Sequence, residues 1–279
     1  MKKEIKNFLH YLELGNKSDR TIKLYASALT YFSKKMKVKS PSEITYPVVS
    51  VYQSYLNRKS YTPSTIALHL NIIRSFLRFL LKNDYIVLNP EKIELPKINR
   101  NLNSKILTPE QLNRLLELSK ADIMHHALIM LLISTGVRVS ELCSLNKDSF
   151  SDLKTLVVNG KGDKTRPCFL TESARESLTK YLDSRQDKTE YLFCMPEGNG
   201  SIHPRHIQRI LQRYGKIIGV RIYPHLLRHQ FACNLLKNGA DIRAIQQMLG
   251  HATITTTTIY ASYVDTQLKE IHNKFSLVT

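Results

Sequence analysis

Apolar side chains recur every three or four positions through the first hundred residues of this chain, which restricts that part of it to helices. One such run covers residues 19–36 and a second covers 63–82. Residues 3–14 and 43–57 carry weaker versions of the same pattern. The alternating pattern that is typical of strands does not occur in this part of the sequence. The sequence therefore predicts an all-helical N-terminal domain over residues 1–95.

Residues 96–106 break the helical periodicity. They combine Pro96 with several Asn, Lys and Arg residues, a composition typical of an extended basic linker. Directly afterwards, the segment Thr108-Pro109-Glu110-Gln111 has the signature of a helix start, with an N-capping threonine, a proline in the first turn and a glutamine three residues on. A length of 279 residues also favours two domains over one. We predict a second domain over residues 107–279.

The second domain mixes helices with a short hairpin. Residues 121–134 are apolar nearly all round, which predicts a buried helix. Two apolar triplets at 156–158 and 168–170 flank a Gly-rich stretch and predict two antiparallel strands. Further helices are predicted at about residues 172–185, 203–218, 225–238, 241–249 and 264–273. The predicted fold is mainly α, with a second domain of mixed α/β type that is mostly helical and contains a small antiparallel sheet.

The chain is strongly basic. Its 41 Lys and Arg residues against 23 Asp and Glu residues give a net charge of +18. Residues 1–100 hold 18 basic and 7 acidic residues (+11), and the remainder holds 23 and 16 (+7), so both predicted domains are basic. A phosphate backbone is the partner that best fits such an excess. A generally lysine-rich composition is the alternative explanation.

The sequence does not point to an oxidising or a membrane compartment. The four cysteines lie far apart and lack metal-ligand spacing, as expected of reduced, mostly buried thiols. Lys2 and Lys3 are followed by Glu4 and Lys6, which interrupt the apolar segment that a signal peptide needs. No uninterrupted apolar run approaches the ~18–20 residues of a membrane span. We expect a cytoplasmic protein.

Two segments of the second domain carry charged residues suited to holding an anion. Arg138 lies at a predicted helix start with Glu141 one turn on, so the carboxylate could steady a guanidinium beside a phosphate. An ordinary surface ion pair explains the same spacing. Lys161 stands between two glycines at the hairpin tip, where a ligand could approach closely. Lys164 and Arg166 continue this charged tip, and such tips are common without any function.

Two further segments carry histidines. His225 and Arg228 are three residues apart and share one helical face, where they could bind a phosphoryl oxygen together. Gly250 is a natural helix terminator, His251 follows it, and Tyr260 comes nine residues after His251. Single histidines and tyrosines are more often structural than catalytic. Nothing local distinguishes Tyr260 from the other tyrosines among the fourteen in the chain.

Together these segments resemble the tyrosine recombinase (lambda integrase) family. TGVRVSEL, GKGDKTR, HLLRH, LGH and the tyrosine after them match the family's motifs in order and spacing, from about residue 108 to the C-terminus. The helical first domain is similar to the core-binding domain of compact Xer-type members, and no additional arm-binding domain is expected. Pro167-Cys168-Phe169 departs from the usual sequence after the hairpin, and Tyr263 is a second tyrosine near the expected nucleophile.

The resemblance implies a role for each matching residue. The implied catalytic set is Arg138, Lys161, His225, Arg228, His251 and Tyr260. The two arginines should clamp the nonbridging oxygens of the scissile phosphate, and the two histidines should add hydrogen bonds. The tyrosine should attack phosphorus to give a 3′-phosphotyrosine, and the lysine should protonate the departing 5′ oxygen.

The implied chemistry uses neither a metal ion nor another cofactor, because two guanidiniums and a lysine supply the positive charge. It needs no ATP, since the phosphotyrosine bond conserves the free energy of the cut diester. The expected partner is double-stranded DNA with inverted-repeat half-sites, bound by a tetramer that exchanges strands through a Holliday junction. A second recombinase or a DNA translocase could assist, as in Xer-like resolution of chromosome dimers.

Other functions stay open at this point. A mobile-element integrase or excisionase of the same family, a type IB topoisomerase and an inactive DNA-binding protein are the alternatives. Arg205, Arg209 and Arg213 form a helical stripe that either contacts DNA or is simply solvated. Residues 264–279 form a predicted amphipathic segment that docks on a neighbouring subunit or on its own.

Overall fold

The computed structural model describes residues 1–97, 106–149, 155–159, 165–195 and 200–250. The chain divides into two compact units, Met1–Arg100 and Asn101–Thr279, and each has its own hydrophobic core. The fold is mostly helical with a small two-stranded antiparallel sheet, which confirms the predicted fold class.

Helices that match the apolar periodicity build the first unit. Their bounds are α1 (Lys2–Leu14), α2 (Asp19–Met36), α3 (Tyr46–Arg58) and α4 (Pro63–Lys82). The start of α2 is fixed by the Ser18 side chain, which accepts from the Thr21 backbone N–H. The predicted third helix began at residue 43, whereas α3 begins at Tyr46, because Pro41–Glu43 form a separate 3-10 turn.

Aromatic rings fill the centre of the first unit. Phe8 of α1 and Phe76 of α4 lie with their ring centroids 5.4 Å apart. Phe32 of α2 meets Tyr52 of α3 edge-on at 4.9 Å. All four side chains are fully buried, and each such ring pair adds about 0.5–1.5 kcal/mol beyond the burial of its surface. These ring pairs join α1 to α4 and α2 to α3.

By length and composition alone, α4 could cross a membrane, and no other helix in the described part of the chain passes that test. Arg74 and Arg78 interrupt its sequence, so it contains no long uninterrupted apolar run. In the structure, eight of its twenty residues are buried. The apolar face of α4 therefore packs against its neighbours in the core of the first unit.

The first helix of the second unit begins where the capping signature predicted. The Thr108 side chain accepts from the Gln111 backbone N–H, and the Gln111 side chain accepts from the Thr108 backbone N–H in return. The helices that follow are α5 (Pro109–Ser119), α6 (Ile123–Thr135), α7 (Val139–Cys143), α8 (Glu172–Asp183), α9 (Pro204–Ile218), α10 (Pro224–Lys237) and α11 (Ile242–Leu249). The apolar helix α6 lies in the core of this unit, as predicted.

The hairpin consists of β1 (Thr155–Asn159) and β2 (Thr165–Phe169), which pair antiparallel. The second strand was predicted at 168–170 and lies instead at Thr165–Phe169, so it includes Pro167. Proline is tolerated there because, in a two-stranded sheet, each strand has an edge that needs no backbone donor. In this register Arg166 pairs with Val158, and both lie on the buried face of the hairpin.

The turn between α6 and α7 depends on Gly136. Its φ of 60° lies in the left-handed region, where a side chain costs about 1–2 kcal/mol. A Cβ at this position would also lie 2.5 Å from Cδ1 of Phe231 and 3.1 Å from Cδ2 of Leu249. Both the backbone conformation and the neighbouring side chains therefore require glycine here.

We expect Gly136→Ala to lower the free energy of unfolding by more than Gly219→Ala. Both glycines end a helix with positive φ, but a Cβ on Gly219 would meet no atom within 4 Å. The control variant thus carries only the backbone cost, whereas overpacking against Phe231 adds about 1–3 kcal/mol to Gly136→Ala. Urea unfolding of the two variants measures the difference. Equal losses would contradict the proposed clash with Phe231.

Candidate active site

Arg138 is the N-cap residue of α7, and Glu141 holds it at two points. The Arg138 backbone N–H donates to Oε2 of Glu141 at 2.8 Å, and Nη1 of its guanidinium donates to Oε1 at 2.7 Å. The side chain of Arg138 remains 32% exposed. The sequence spacing thus predicted the pairing correctly, and the guanidinium is held in place while still facing solvent.

Glu141 is a buried carboxylate that stays ionised. Burial by itself would raise its pKa, but hydrogen bonds from Arg166 and Arg138 outweigh that effect and lower the pKa to about 2. Because the folded-state pKa lies below the unfolded value, this carboxylate stabilises the fold above about pH 4.5. That stabilisation is lost as the pH falls toward 2. The charge network is therefore complete at any physiological pH.

Arg166 completes this network from the hairpin. Its Nη1 and Nη2 donate to the two oxygens of Glu141 at 3.0 and 2.7 Å, and its Nε donates to the carbonyl of Met248 at 3.0 Å. Its side chain is only 10% exposed. The sequence interpretation counted Arg166 among the charges of the hairpin tip and missed this role. Side chains of a strand point alternately to its two faces. A strand that starts at Thr165 therefore places Arg166 on the same face as the buried Cys168, and this alternation is the signal that could have found it.

Arg228 is the second predicted phosphate ligand, and it lies buried on α10. Its Nη1 donates to the carbonyl of Gly136 at 2.5 Å, and its Nη2 donates to that of Leu249 at 2.6 Å. A buried guanidinium is unstable without such acceptors. Arg228 thereby links the turn before α7 to the end of α11.

The carboxyl end of α11 binds all three guanidiniums. Three successive carbonyls, of Met248, Leu249 and Gly250, accept from Arg166, Arg228 and Arg138 respectively. The last carbonyls of a helix lack partners within the helix and carry its negative dipole end. Arginines from three different elements therefore meet at the residues that directly precede His251 in the sequence.

His225 lies in the first turn of α10, with its side chain accessible to solvent. Partial desolvation of the imidazole lowers its pKa, and the positive charges of Arg228 and Arg138 lower it further. The ring is therefore mostly neutral at pH 7. A neutral imidazole beside two guanidiniums can accept a proton or form a hydrogen bond to a phosphate.

The structure thus brings together three of the six predicted site residues, Arg138, His225 and Arg228. The other three, Lys161, His251 and Tyr260, lie outside the described residues, as do most of the predicted linker and the predicted helix at 264–273. The catalytic roles of all six remain predictions.

The four cysteines are free thiols. Burial raises the pKa of the Cys143 thiol to about 11, which leaves it protonated and unreactive at neutral pH. Within the described ranges, no cluster of three or more His, Cys, Asp or Glu side chains is placed to hold a metal ion.

We expect the free protein to show a His225 pKa below 6.5, and Arg138→Gln to raise it. Removing the positive charge of Arg138 reduces the repulsion that disfavours the protonated ring. An NMR titration of the imidazole resonances in both proteins measures the shift. An unchanged His225 pKa in the variant would mean that the charge of Arg138 does not act on His225.

Both units match known family profiles. Residues 105–266 match the Phage integrase family, and residues 5–86 match the Phage integrase, N-terminal SAM-like domain. The first match covers more than half of the chain, and the second covers most of the first unit.

Individual relatives agree with the profiles. The chain is 37% identical to tyrosine recombinase XerC of Thermodesulfovibrio yellowstonii, over 97% of this chain and 95% of the relative. It is 33% identical to tyrosine recombinase XerA of Thermococcus kodakarensis, over 98% and 95%. Its fold matches a crystal structure of XerH site-specific recombinase bound to palindromic difH substrate, with a TM-score of 0.72 at 23% identity over 91% and 80% of the two chains. The chain belongs to the phage integrase family of tyrosine recombinases, and within that family it is of the Xer type.

Proposed function

We propose that this protein is a site-specific recombinase that cleaves and rejoins DNA through a 3′-phosphotyrosine intermediate and a Holliday junction. We further propose an Xer-like role in resolving chromosome dimers in the cytoplasm. The observation that carries the proposal is the meeting of Arg138 and Arg228 at the end of α11. That end directly precedes His251 and lies ten residues before Tyr260 in the sequence.

In this proposal the two arginines stabilise the transition state. Nucleophilic attack turns the phosphodiester into a pentacoordinate phosphorane that carries additional negative charge. Guanidiniums already fixed by Glu141 and by backbone carbonyls need little reorganisation to meet that charge. The positive charge that a metal ion often supplies in phosphoryl transfer would thus come from side chains.

Proton transfers complete the proposed reaction. The hydroxyl of Tyr260 attacks phosphorus, and its proton passes to the neutral imidazole of His225. The bond between phosphorus and the 5′ oxygen breaks, and Lys161 donates a proton to that oxygen. Rejoining reverses these steps with a 5′ hydroxyl of the partner strand as the nucleophile. The lowered pKa of His225 keeps the ring mostly unprotonated at neutral pH, so a ring nitrogen is available to accept that proton.

Double-stranded DNA with inverted-repeat half-sites is the proposed partner, bound by four copies of this chain. Arg205, Arg209 and Arg213 of α9 offer a surface for it, since all three are exposed and none forms an ion pair within the described residues. They lie four residues apart, so they share one face of the helix. We propose that this stripe contacts backbone phosphates.

We expect the wild-type protein to form a covalent adduct with a nicked DNA substrate, and Tyr260→Phe to abolish it. The substitution removes only the nucleophilic oxygen, so DNA affinity should change little. Tyr263→Phe is the matched control and should still form the adduct. Denaturing gels in EDTA without ATP measure the adduct, and mass spectrometry of the attached peptide locates it.

Attachment at Tyr263, or an adduct that persists in Tyr260→Phe, would overturn the assignment of the nucleophile. A wild-type protein that binds DNA but never forms an adduct would favour an inactive DNA-binding protein. Dependence of the adduct on added magnesium would contradict the charge argument.

We expect Arg209→Gln to weaken DNA binding and to reduce the slope of log affinity against log salt by about 1. The physical reason is the loss of one phosphate contact and of the counterion release that accompanies it. Arg175→Gln on α8 is the matched control, because it removes the same charge while Arg175 is already paired with Glu172. An unchanged salt slope in Arg209→Gln would show that this part of the stripe is merely solvated.

A further inference from the structure

We propose that Arg166 is a positioning residue, which keeps the guanidinium of Arg138 oriented for phosphate binding and prevents Glu141 from balancing its positive charge. The inference rests on the proposed function, because it concerns the cleavage step. Arg166 lies in β2, is buried, and contacts both Glu141 and the end of α11. It acts through other residues and does not touch the substrate.

The first reason is charge balance. Arg138 and Arg166 share the single carboxylate of Glu141, so the group of three carries one net positive charge. Without Arg166, the buried carboxylate would have Arg138 as its only ionic partner in this group. The positive charge of Arg138 would then be neutralised by Glu141. Arg166 therefore leaves the charge of Arg138 available for a phosphate.

The second reason is geometry. Oε1 of Glu141 accepts from both guanidiniums, at 2.7 Å from Arg138 and 3.0 Å from Arg166. Oε2 accepts from the Arg138 backbone N–H at 2.8 Å and from Arg166 at 2.7 Å. The planar fork of Arg166 fixes the plane of the carboxylate, and the carboxylate in turn fixes the guanidinium of Arg138. A lysine ammonium could not hold both oxygens in this way.

The third reason is the contact with α11. Nε of Arg166 donates to the carbonyl of Met248, and a Cβ on Gly250 would lie 3.1 Å from Nη1 of Arg166 and 3.2 Å from its Cδ. The carbonyl of Gly250 accepts from Arg138 at 3.0 Å. Arg166 therefore lies between Glu141 and the end of α11. Its contacts with both fix the position of Arg138 relative to that end.

The position of Arg166 in the sequence extends this role. It stands five residues after Lys161 in the same hairpin sequence. Its contacts join that hairpin to α7, which carries Glu141, and to α11, which ends next to His251. One buried side chain thus connects the segments that supply three of the predicted catalytic residues.

The test measures single-turnover adduct formation at saturating nicked DNA, together with Kd and Tm. We expect Arg166→Gln to slow cleavage about 100-fold, the loss typical of a displaced catalytic group, while Kd changes little. Arg185→Gln is the matched control. Arg185 is another buried arginine of the second unit, paired with Asp187 and bound to the carbonyls of Tyr191 and Leu192. This control should lower Tm but leave the cleavage rate near that of the wild type.

A second experiment distinguishes a positioning role of Arg166 from a purely structural one. Arg166→Gln is introduced into an Arg138→Gln background, and adduct formation is followed over hours because cleavage is slow. If Arg166 acts through Arg138, the second substitution should slow cleavage little further. An equal loss in both backgrounds, or a wild-type rate in Arg166→Gln, would overturn the proposal. If Arg166→Gln fails to fold, the test uses Arg166→Lys, which keeps the positive charge. Arg166→Lys should also cleave more slowly than the wild type, and it should slow cleavage little further in the Arg138→Gln background. Failure of the wild-type protein to form any adduct would instead overturn the proposed function.

Discussion

The buried carboxylate of Glu141 is the interaction on which the candidate site depends. A carboxylate removed from water is unstable unless its oxygens are fully hydrogen-bonded. Here each oxygen accepts two hydrogen bonds, from two guanidiniums and one backbone N–H. Those donors lie at the start of α7 and in β2. The Glu141 side chain therefore fixes the position of the start of α7 relative to β2.

The end of α11 complements this carboxylate with main-chain acceptors. Helix carbonyls at a carboxyl terminus have fixed directions, so they orient a guanidinium without any side-chain freedom of their own. Arg228 uses one of them together with the carbonyl of Gly136, which ends α6. Carbonyl groups from the ends of α6 and α11 therefore hold the buried guanidinium of Arg228 in place.

Features that depend on neighbouring residues could be predicted from the sequence. The Thr108 and Gln111 cap, the helix-ending Gly250 and the Arg138–Glu141 pair all involve positions within a few residues of one another, where spacing determines contact. The start of α3 and the bounds of β2 were misplaced because the prolines there fit more than one local structure.

The remaining contacts could not be predicted because they join distant parts of the chain. Arg166 meets Glu141 across 25 residues, Arg228 meets Gly136 across 92, and Arg138 meets Gly250 across 112. A single sequence contains no local signal for such pairings. The family resemblance gave roles to Arg138 and Arg228. It gave none to Arg166, although this residue ends the segment GKGDKTR, and its partners became visible only in three dimensions.

Recognition of backbone atoms at the end of α11 also affects how this chain can evolve. The three arginines bind carbonyls that every amino acid possesses, so the identities of Met248 and Leu249 do not determine these hydrogen bonds. Only position 250 is constrained to glycine, by its φ of 62° and by the nearby Arg166. The exposed side chains of α11, such as Arg243 and Gln247, can therefore be exchanged without altering the carbonyl groups that hold the guanidinium cluster.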